Sequence, residues 1–232
     1  MTITVADLPL IQAPMPANQW INEVTPKSQI FLHHTAGNND PYAVIDYWNS
    51  TAETVGTAFI IGRHPTKRND GKTWKDGDIL QCFPSAKWSW HLGGVKALNA
   101  PPGSKTAHEL NSQSIGIECA NWGPLTKTAD GKFKAWSGTL VPPEHVATLE
   151  QPFKGFLYYE KYTDAQIESL RKLLIYLCDR YRIDKKYRGD EIFALNSACF
   201  KGVNGIYTHN SCRTAKWDVY PYPPLITMLQ SL

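Results

Sequence analysis

The stretch Ile30-Phe31-Leu32-His33-His34-Thr35-Ala36-Gly37 begins with three apolar residues and continues into two imidazoles. Consecutive apolar residues are typical of a short strand buried on both faces of a sheet, because such a strand needs no polar alternation. The next segment, Asn38-Asn39-Asp40-Pro41, can end the strand and cap a helix, since Asn and Asp accept hydrogen bonds from free amides. Ligands of α/β proteins tend to bind where strands give way to loops. His33 is therefore a candidate ligand for a metal or a substrate.

The composition limits the class of protein. The chain has 232 residues, of which 42% are hydrophobic, and a formal net charge of +3. This length can bury a sizeable core, and the charge is too small to indicate a nucleic-acid partner. The 5 cysteines contain no Cys-x-x-Cys pair, so neither a disulfide framework nor a four-thiolate zinc site is predicted. Folding in a reducing cytoplasm is expected.

No targeting or membrane segment is predicted. Residues 1–20 lack a basic region followed by a long apolar run, and no apolar run approaches the length of a membrane span. We expect a protein made in the cytoplasm without a signal peptide, without a membrane partner and monomeric.

The hydrophobic pattern predicts an α/β fold. Buried strands of one sheet are predicted at residues 30–34, 57–62, 78–83 and 114–119. Helices are predicted at residues 41–49, from the capping box Thr163-Asp164-Ala165-Gln166 through Tyr181, and at 225–232. The polar, turn-rich residues 64–77 are predicted to form a loop.

Two segments stand apart from this pattern. Residues 1–29 are rich in proline and are predicted to form an extended arm across the surface. Residues 122–160 have a weak pattern and are interpreted as an insertion that caps the sheet edge or borders a groove. Because no linker divides the chain, we expect one domain over residues 1–232.

A second group of chemically active residues lies near the end of the chain. His209 follows a short apolar segment, and Asp218 comes two residues after Lys216. Zinc binds imidazole nitrogen and carboxylate oxygen, and catalytic sites keep three protein ligands with one open position. His33, His209 and Asp218 would form such a set, but their spacing matches no local motif, so structural roles stay equally open.

Five segments in order resemble the zinc-dependent N-acetylmuramoyl-L-alanine amidase family, which includes amidase-type phage lysozymes and peptidoglycan recognition proteins. The segments are Phe31-Leu32-His33-His34-Thr35-Ala36-Gly37, Val55-Gly56-Thr57-Ala58-Phe59-Ile60-Ile61, Trp90-His91-Leu92-Gly93, Asn111-Ser112-Gln113-Ser114-Ile115-Gly116-Ile117-Glu118 and the loop from His209 to Asp218. The resemblance covers about Gln29 to Pro221, with a poor match over 122–160. It implies a single mixed central β-sheet flanked by helices.

The resemblance also implies the roles of individual residues. Its zinc ligands fall on His33, His209 and Asp218. Its catalytic carboxylate falls on Glu118, and its transition-state lysine falls on Lys216.

Further positions concern the substrate. In the Trp-His-x-Gly segment, His91 and Trp90 are expected to line the substrate groove, although structural hydrogen bonding and core packing are the alternatives. Thr57, also assigned to the groove, stands where several phage members carry a catalytic tyrosine. In this respect the chain resembles the branch that has a glutamate base.

The implied reaction is zinc-dependent hydrolysis of the amide between N-acetylmuramic acid and L-alanine in peptidoglycan or muropeptides. The first candidate role is a phage or prophage endolysin that acts on the cell wall. A cytoplasmic amidase that recycles anhydromuropeptides is the second. A recognition module that only binds peptidoglycan is the third, and the intact set of three ligands disfavours it.

Overall fold

A six-stranded mixed sheet forms the centre of the computed structural model, which describes residues 3–37 and 39–232. Asn38, part of the predicted capping segment, lies outside the described residues. The strands are β1 (Leu10–Gln12), β2 (Gln29–His34), β3 (Phe59–Ile61), β4 (Ile79–Gln81), β5 (Ser114–Cys119), β6 (Pro124–Lys127), β7 (Phe133–Lys134), β8 (Leu140–Val141), β9 (Val146–Phe153), β10 (Phe156–Glu160) and β11 (Gly205–Thr208). The helices are α1 (Pro41–Asn49), α2 (Ala107–Ser112), α3 (Asp164–Tyr181), α4 (Ser197–Phe200) and α5 (Pro223–Gln230).

The central sheet has the order β1-β4-β3-β5-β2-β11. Strand β2 pairs in parallel with both β5 and β11, and β3 pairs in parallel with β5, whereas β3 and β4 are antiparallel. The prediction of an α/β fold with a mixed central sheet is therefore confirmed, and the four predicted strands all lie in this sheet. Every residue of β2 is buried, as expected for a central strand covered on both faces.

The predicted helix starts agree with the structure. The Asp40 side chain accepts hydrogen bonds from the Tyr42 and Ala43 amides at the start of α1. Thr163 and Gln166 form the capping box of α3. The apolar stripe of α3 is buried in the same core as the central sheet, which fixes this helix on one face of the sheet.

The N-terminal arm differs from its prediction in one respect. Leu10, Ile11 and Gln12 form β1, an edge strand parallel to β4. A strand of three residues is too short to show a period of two, so the sequence pattern predicted only an extended arm.

Residues 124–160 form a second sheet that the sequence did not predict. It has five strands in the order β8-β7-β6-β10-β9, and we call it the inserted sheet. Leu125, Ala135, Val141 and Val146 form its own small apolar cluster. Strands β7 and β8 have only two residues each, and the residues of the longer strands β9 and β10 do not alternate strictly between buried and exposed positions, which explains the weak pattern.

Buried polar and aromatic contacts attach the inserted sheet to the rest of the protein. Arg63 Nη1 lies 2.6 Å from Glu160 Oε1, and the two side chains are 1% and 2% exposed. The other oxygen of Glu160 accepts a hydrogen bond from the Trp122 amide. The rings of Tyr159 and Tyr220 stack at 4.3 Å. A buried ion pair is strongly destabilised when one partner is lost, so this junction defines the position of the inserted sheet.

No helix in the described part of the chain, residues 3–37 and 39–232, is both long and apolar enough to cross a membrane.

A buried lysine gives the fold a measurable pH dependence. Lys27 Nζ donates hydrogen bonds to the carbonyl oxygens of Lys87 and Ser112, and burial lowers the pKa of Lys27 to about 7 from 10.5. Between these values the unfolded chain binds the proton and the folded chain does not. The free energy of unfolding therefore gains a contribution that rises with pH, by up to about 1.4 kcal/mol per pH unit.

We expect Lys27→Met to remove this contribution. Urea unfolding of both proteins between pH 7 and about 10 measures the difference in slope. Parallel pH profiles of the wild type and the variant would contradict the pKa shift.

Candidate functional site

Two histidines meet at the carboxyl edge of the central sheet. In the parallel pair of β2 and β11, Thr208 lies opposite Leu32. The following residues, His209 and His33, therefore reach the same edge. Both are buried, with 4% and 2% of their surfaces exposed.

The loop after β11 brings Asp218 back to the carboxyl edge of the central sheet, beside His209. The Asn210 amide nitrogen donates to the Asp218 carbonyl at 3.2 Å, and Asn210 Nδ2 donates to the carbonyls of Asp218 and Val219 at 2.9 Å each. These bonds close the loop, so a residue nine positions after His209 becomes its direct neighbour.

The three side chains converge on one point. Nδ1 of His33 lies 3.0 Å from Nδ1 of His209 and 3.2 Å from Oδ2 of Asp218, and the distance from His209 Nδ1 to Asp218 Oδ2 is 2.8 Å. These residues form the group of potential metal ligands found in the described part of the chain. Two imidazole nitrogens and a carboxylate oxygen are a donor set that suits zinc.

The protonation states also suit metal binding. Burial lowers the pKa of His33, and it lowers the pKa of His209 to about 4, although Asp218 opposes both changes. Burial alone would raise the pKa of Asp218, but the imidazoles outweigh burial and hold that pKa well below its usual range. Neutral imidazoles and an ionised carboxylate are the forms that bind a metal.

A hydrogen-bonded chain behind His33 defines its tautomer. The hydroxyl of Ser114 donates to the Leu110 carbonyl, so its oxygen accepts from His91 Nε2 at 2.8 Å. His91 Nδ1 must then accept the proton of His33 Nε2, at 3.0 Å. His33 Nδ1 is left with its lone pair directed into the cluster, as a ligand requires.

Gly116 leaves the space in which the side chains of His91 and Thr57 pack. A Cβ atom at residue 116 would lie 2.9 Å from His91 Cγ and 2.8 Å from Thr57 Cγ2, so only glycine lets both side chains pack over β5. Thr57 is 2% exposed, and its hydroxyl donates to the Phe59 carbonyl at 2.9 Å. Its methyl group rather than a free hydroxyl faces this region.

Glu118 lies beside the cluster because of strand register. It is the direct partner of His33 in the pair of β2 and β5, so the two side chains share one face. Glu118 is half-buried, and its Oε2 is buried without a hydrogen-bond partner. Burial, assisted by the charge of Asp218, raises the pKa of Glu118 well above its usual value, while Lys216 opposes this change.

Lys216 and Trp90 lie on the surrounding segments. Lys216 is half-buried in the loop that leads to Asp218, and its charge acts on His33, His209 and Glu118. Trp90 is half-buried and packs edge-on against Trp88 at 5.3 Å.

Two neighbours of the cluster have structural contacts. His34 points to the other face of β2, where its Nδ1 lies 2.9 Å from the Tyr162 hydroxyl. Cys212 is buried, and its thiol donates to the His209 carbonyl at 3.4 Å. Neither side chain belongs to the group of potential metal ligands.

The comparison with protein families agrees with this geometry. The family model of N-acetylmuramoyl-L-alanine amidase matches residues 23–223, which is most of the chain. The chain belongs to this family. The resemblance seen in the sequence is thus confirmed, and the protein is an N-acetylmuramoyl-L-alanine amidase, of a family that acts on peptidoglycan.

Two solved structures share the fold of this amidase. PlyL is 12% identical, with a TM-score of 0.50, and the match covers 95% of this chain and 96% of that one. AmpDh3 from Pseudomonas aeruginosa is 16% identical, with a TM-score of 0.50, and the match covers 90% of this chain and 61% of that one. No curated protein sequence matches the amidase significantly.

Sequence reasoning missed the residues that support the cluster of His33, His209 and Asp218. Asn210 closes the loop and Ser114 anchors His91, yet neither residue type signals such a role. Both act through contacts between segments that are distant along the chain, so no local pattern could have identified them.

His91 is the residue whose role the geometry makes testable. We expect His91→Ala to weaken zinc binding by roughly 10- to 100-fold, because the proton on His33 Nε2 loses its acceptor. A competition titration with a chromophoric chelator measures this affinity. The matched control is His108→Ala, which removes an exposed histidine near Trp90. Unchanged zinc affinity with a raised KM would instead assign His91 to direct substrate binding.

Proposed function

We propose that the protein is a zinc-dependent amidase that hydrolyses the bond between the lactyl group of N-acetylmuramic acid and L-alanine. His33, His209 and Asp218 would hold the zinc ion. The observation that carries the proposal is the convergence of two Nδ1 atoms and one carboxylate oxygen within a buried cluster. An ionised carboxylate buried beside two neutral imidazoles keeps a negative charge away from water, which is costly without a cation and supports a resident metal.

Zinc, when bound, acts as a Lewis acid that polarises the amide carbonyl and lowers the pKa of water to about 7. Glu118 accepts the proton of the attacking water and returns it to the departing nitrogen of L-alanine. Its raised pKa suits the return of the proton, because a general acid must hold its proton near neutral pH. The charge of Lys216 opposes this rise and so favours the ionised carboxylate that the first step needs. Its unpartnered oxygen leaves the carboxylate free to change protonation state.

Lys216 is proposed to neutralise the negative charge that grows on the carbonyl oxygen, an effect worth about 3 kcal/mol in comparable sites. Its position in the loop before Asp218 brings a cation to the edge of the cluster. His91, Trp90 and Thr57 are proposed to shape the substrate groove. The hydrogen bond between His91 and His33 would fix the position of both rings, and Thr57 would pack beside His91 over Gly116.

For the cellular role we propose an endolysin that acts on intact cell walls. Recycling of soluble anhydromuropeptides uses the same chemistry on a smaller substrate. A module that only binds peptidoglycan would need no general base beside a metal cluster, so the position of Glu118 disfavours it.

Removal of the metal tests the mechanism and the role together. Treatment with 1,10-phenanthroline should abolish the release of stem peptides from purified sacculi, and added zinc should restore it, with the products identified by mass spectrometry. Full activity of metal-free protein would refute the mechanism. Cleavage confined to soluble anhydromuropeptides in parallel digests would refute the endolysin role.

Substitution of Glu118 tests the general acid and base. We expect Glu118→Gln to retain one zinc ion per chain and to lose roughly 10²- to 10⁴-fold in kcat. The matched control is Glu150→Gln, which changes an exposed carboxylate on the inserted sheet. An unchanged kcat would remove Glu118 from the catalytic role.

A further inference from the structure

Two large aromatic side chains are exposed next to the metal-ligand segments. Trp136 is 77% exposed and Trp217 is 41% exposed, although Trp is highly buried on average. Exposed aromatic surface on a soluble protein often marks a binding site for a ligand or a partner. Trp136 lies outside the segments that carried the family resemblance on sequence, whereas Trp217 lies within the last of them, the loop from His209 to Asp218.

Trp136 extends from the inserted sheet to the end of β2. It lies in the turn between β7 and β8, and its Nε1 donates to the Ala36 carbonyl at 2.6 Å. Ala36 is three residues after His33 and has a φ of 47°, a left-handed conformation that is uncommon for alanine. The hydrogen bond therefore fixes an indole beside the ligand strand while the faces of its ring stay exposed.

Trp217 lies on the other ligand-bearing segment, immediately before Asp218. The inserted sheet contacts this loop as well. Phe156 packs edge-on against Trp217 with ring centroids 6.4 Å apart, and Lys154 Nζ donates to the Thr214 carbonyl at 2.8 Å. Thus the inserted sheet contacts both segments that contain the proposed metal ligands. One contact is made by the indole of Trp136, and the other is made to Trp217 and to the nearby Thr214.

We propose that the inserted sheet forms a wall of the substrate cleft and that Trp136 and Trp217 bind sugar rings of the glycan strand. This inference rests on the proposed function. The amide to be cleaved is attached to a sugar through its lactyl group, so in polymeric peptidoglycan further sugar rings must lie close to the metal cluster. The C–H face of a pyranose is apolar and packs on the face of an indole, which combines a large apolar surface with a polar edge. Because Ala36 already accepts the N–H of Trp136, ring stacking is the interaction left to that side chain.

The proposal predicts selectivity for polymer over fragment. The measured quantity is the ratio of kcat/KM on sacculi to kcat/KM on soluble N-acetylmuramoyl-L-alanyl-D-isoglutamine. We expect this ratio to fall roughly tenfold in Trp136→Ala and roughly tenfold in Trp217→Ala. Leu140→Ala is the matched control, because Leu140 is 52% exposed on the same inserted sheet. It should keep the wild-type ratio.

Binding without hydrolysis gives an independent measurement. Calorimetric titration with the peptide-free hexasaccharide of N-acetylglucosamine should show binding by the wild type and a loss of roughly tenfold or more in the double variant. Trp136→Phe keeps an aromatic face but loses the hydrogen bond to Ala36, so it should retain most of the affinity that Trp136→Ala loses. Equal losses in the two variants would assign Trp136 to support of the Ala36 backbone and overturn its sugar-binding role.

The outcomes separate this inference from the proposed function. If the wild type cleaves neither sacculi nor the soluble substrate, the proposed function fails. If it cleaves both and the double variant keeps the wild-type ratio and hexasaccharide affinity, the amidase function stands and the aromatic subsite is refuted.

Discussion

Backbone hydrogen bonds join β2 to β5 on one side and to β11 on the other, with all three strands parallel. Parallel pairing brings the carboxyl ends of the strands to one edge, and the register decides which residues become neighbours there. With Thr208 opposite Leu32, and with Glu118 opposite His33, the sheet positions two imidazoles and a carboxylate on adjacent strands. A shift of one residue in either pair would send one of these side chains to the opposite face. The geometry of the site therefore depends first on the pairing of β2 with β5 and β11, and only then on contacts between the site's own side chains.

Burial contributes to the site in two opposite ways. It lowers the pKa of the imidazoles, which keeps them neutral, and it raises the pKa of Glu118, which favours its protonated form. The same exclusion of water thus produces neutral imidazoles and a carboxyl group that holds its proton within one small volume, which are the states that the proposed metal ligands and general acid require. Asp218 escapes the effect because the His209 imidazole, with its Nδ1 2.8 Å from the Asp218 carboxylate, outweighs burial. Local partners rather than depth of burial decide which group carries a charge.

The inserted sheet is an elaboration that leaves this arrangement untouched. It is attached by the Arg63–Glu160 pair and by the stack of Tyr159 on Tyr220, at positions that provide no metal ligand. Its turns nevertheless extend to Ala36 and to Thr214, which lie on the segments that contain His33 and Asp218. An insertion so attached can change the surface that a substrate meets while the chemistry stays the same. This division is common where loops on a rigid scaffold determine specificity.

The sequence by itself determined the strands with continuous apolar runs, the capped helices and the family, since each depends on local chemistry that a short segment contains. The bounds of β5 and the capping box of α3 are examples, and the residues assigned to the metal came from motifs in a recognisable order. Only the tertiary structure decided that His33, His209 and Asp218 meet, that Ser114 and His91 define a tautomer, and that Trp136 reaches Ala36, 100 positions away. The inserted sheet also escaped prediction, because two of its strands have only two residues and the longer β9 and β10 do not alternate strictly between buried and exposed residues. These features arise from strand register and from contacts between distant segments, and neither is encoded in the spacing of residues along the chain.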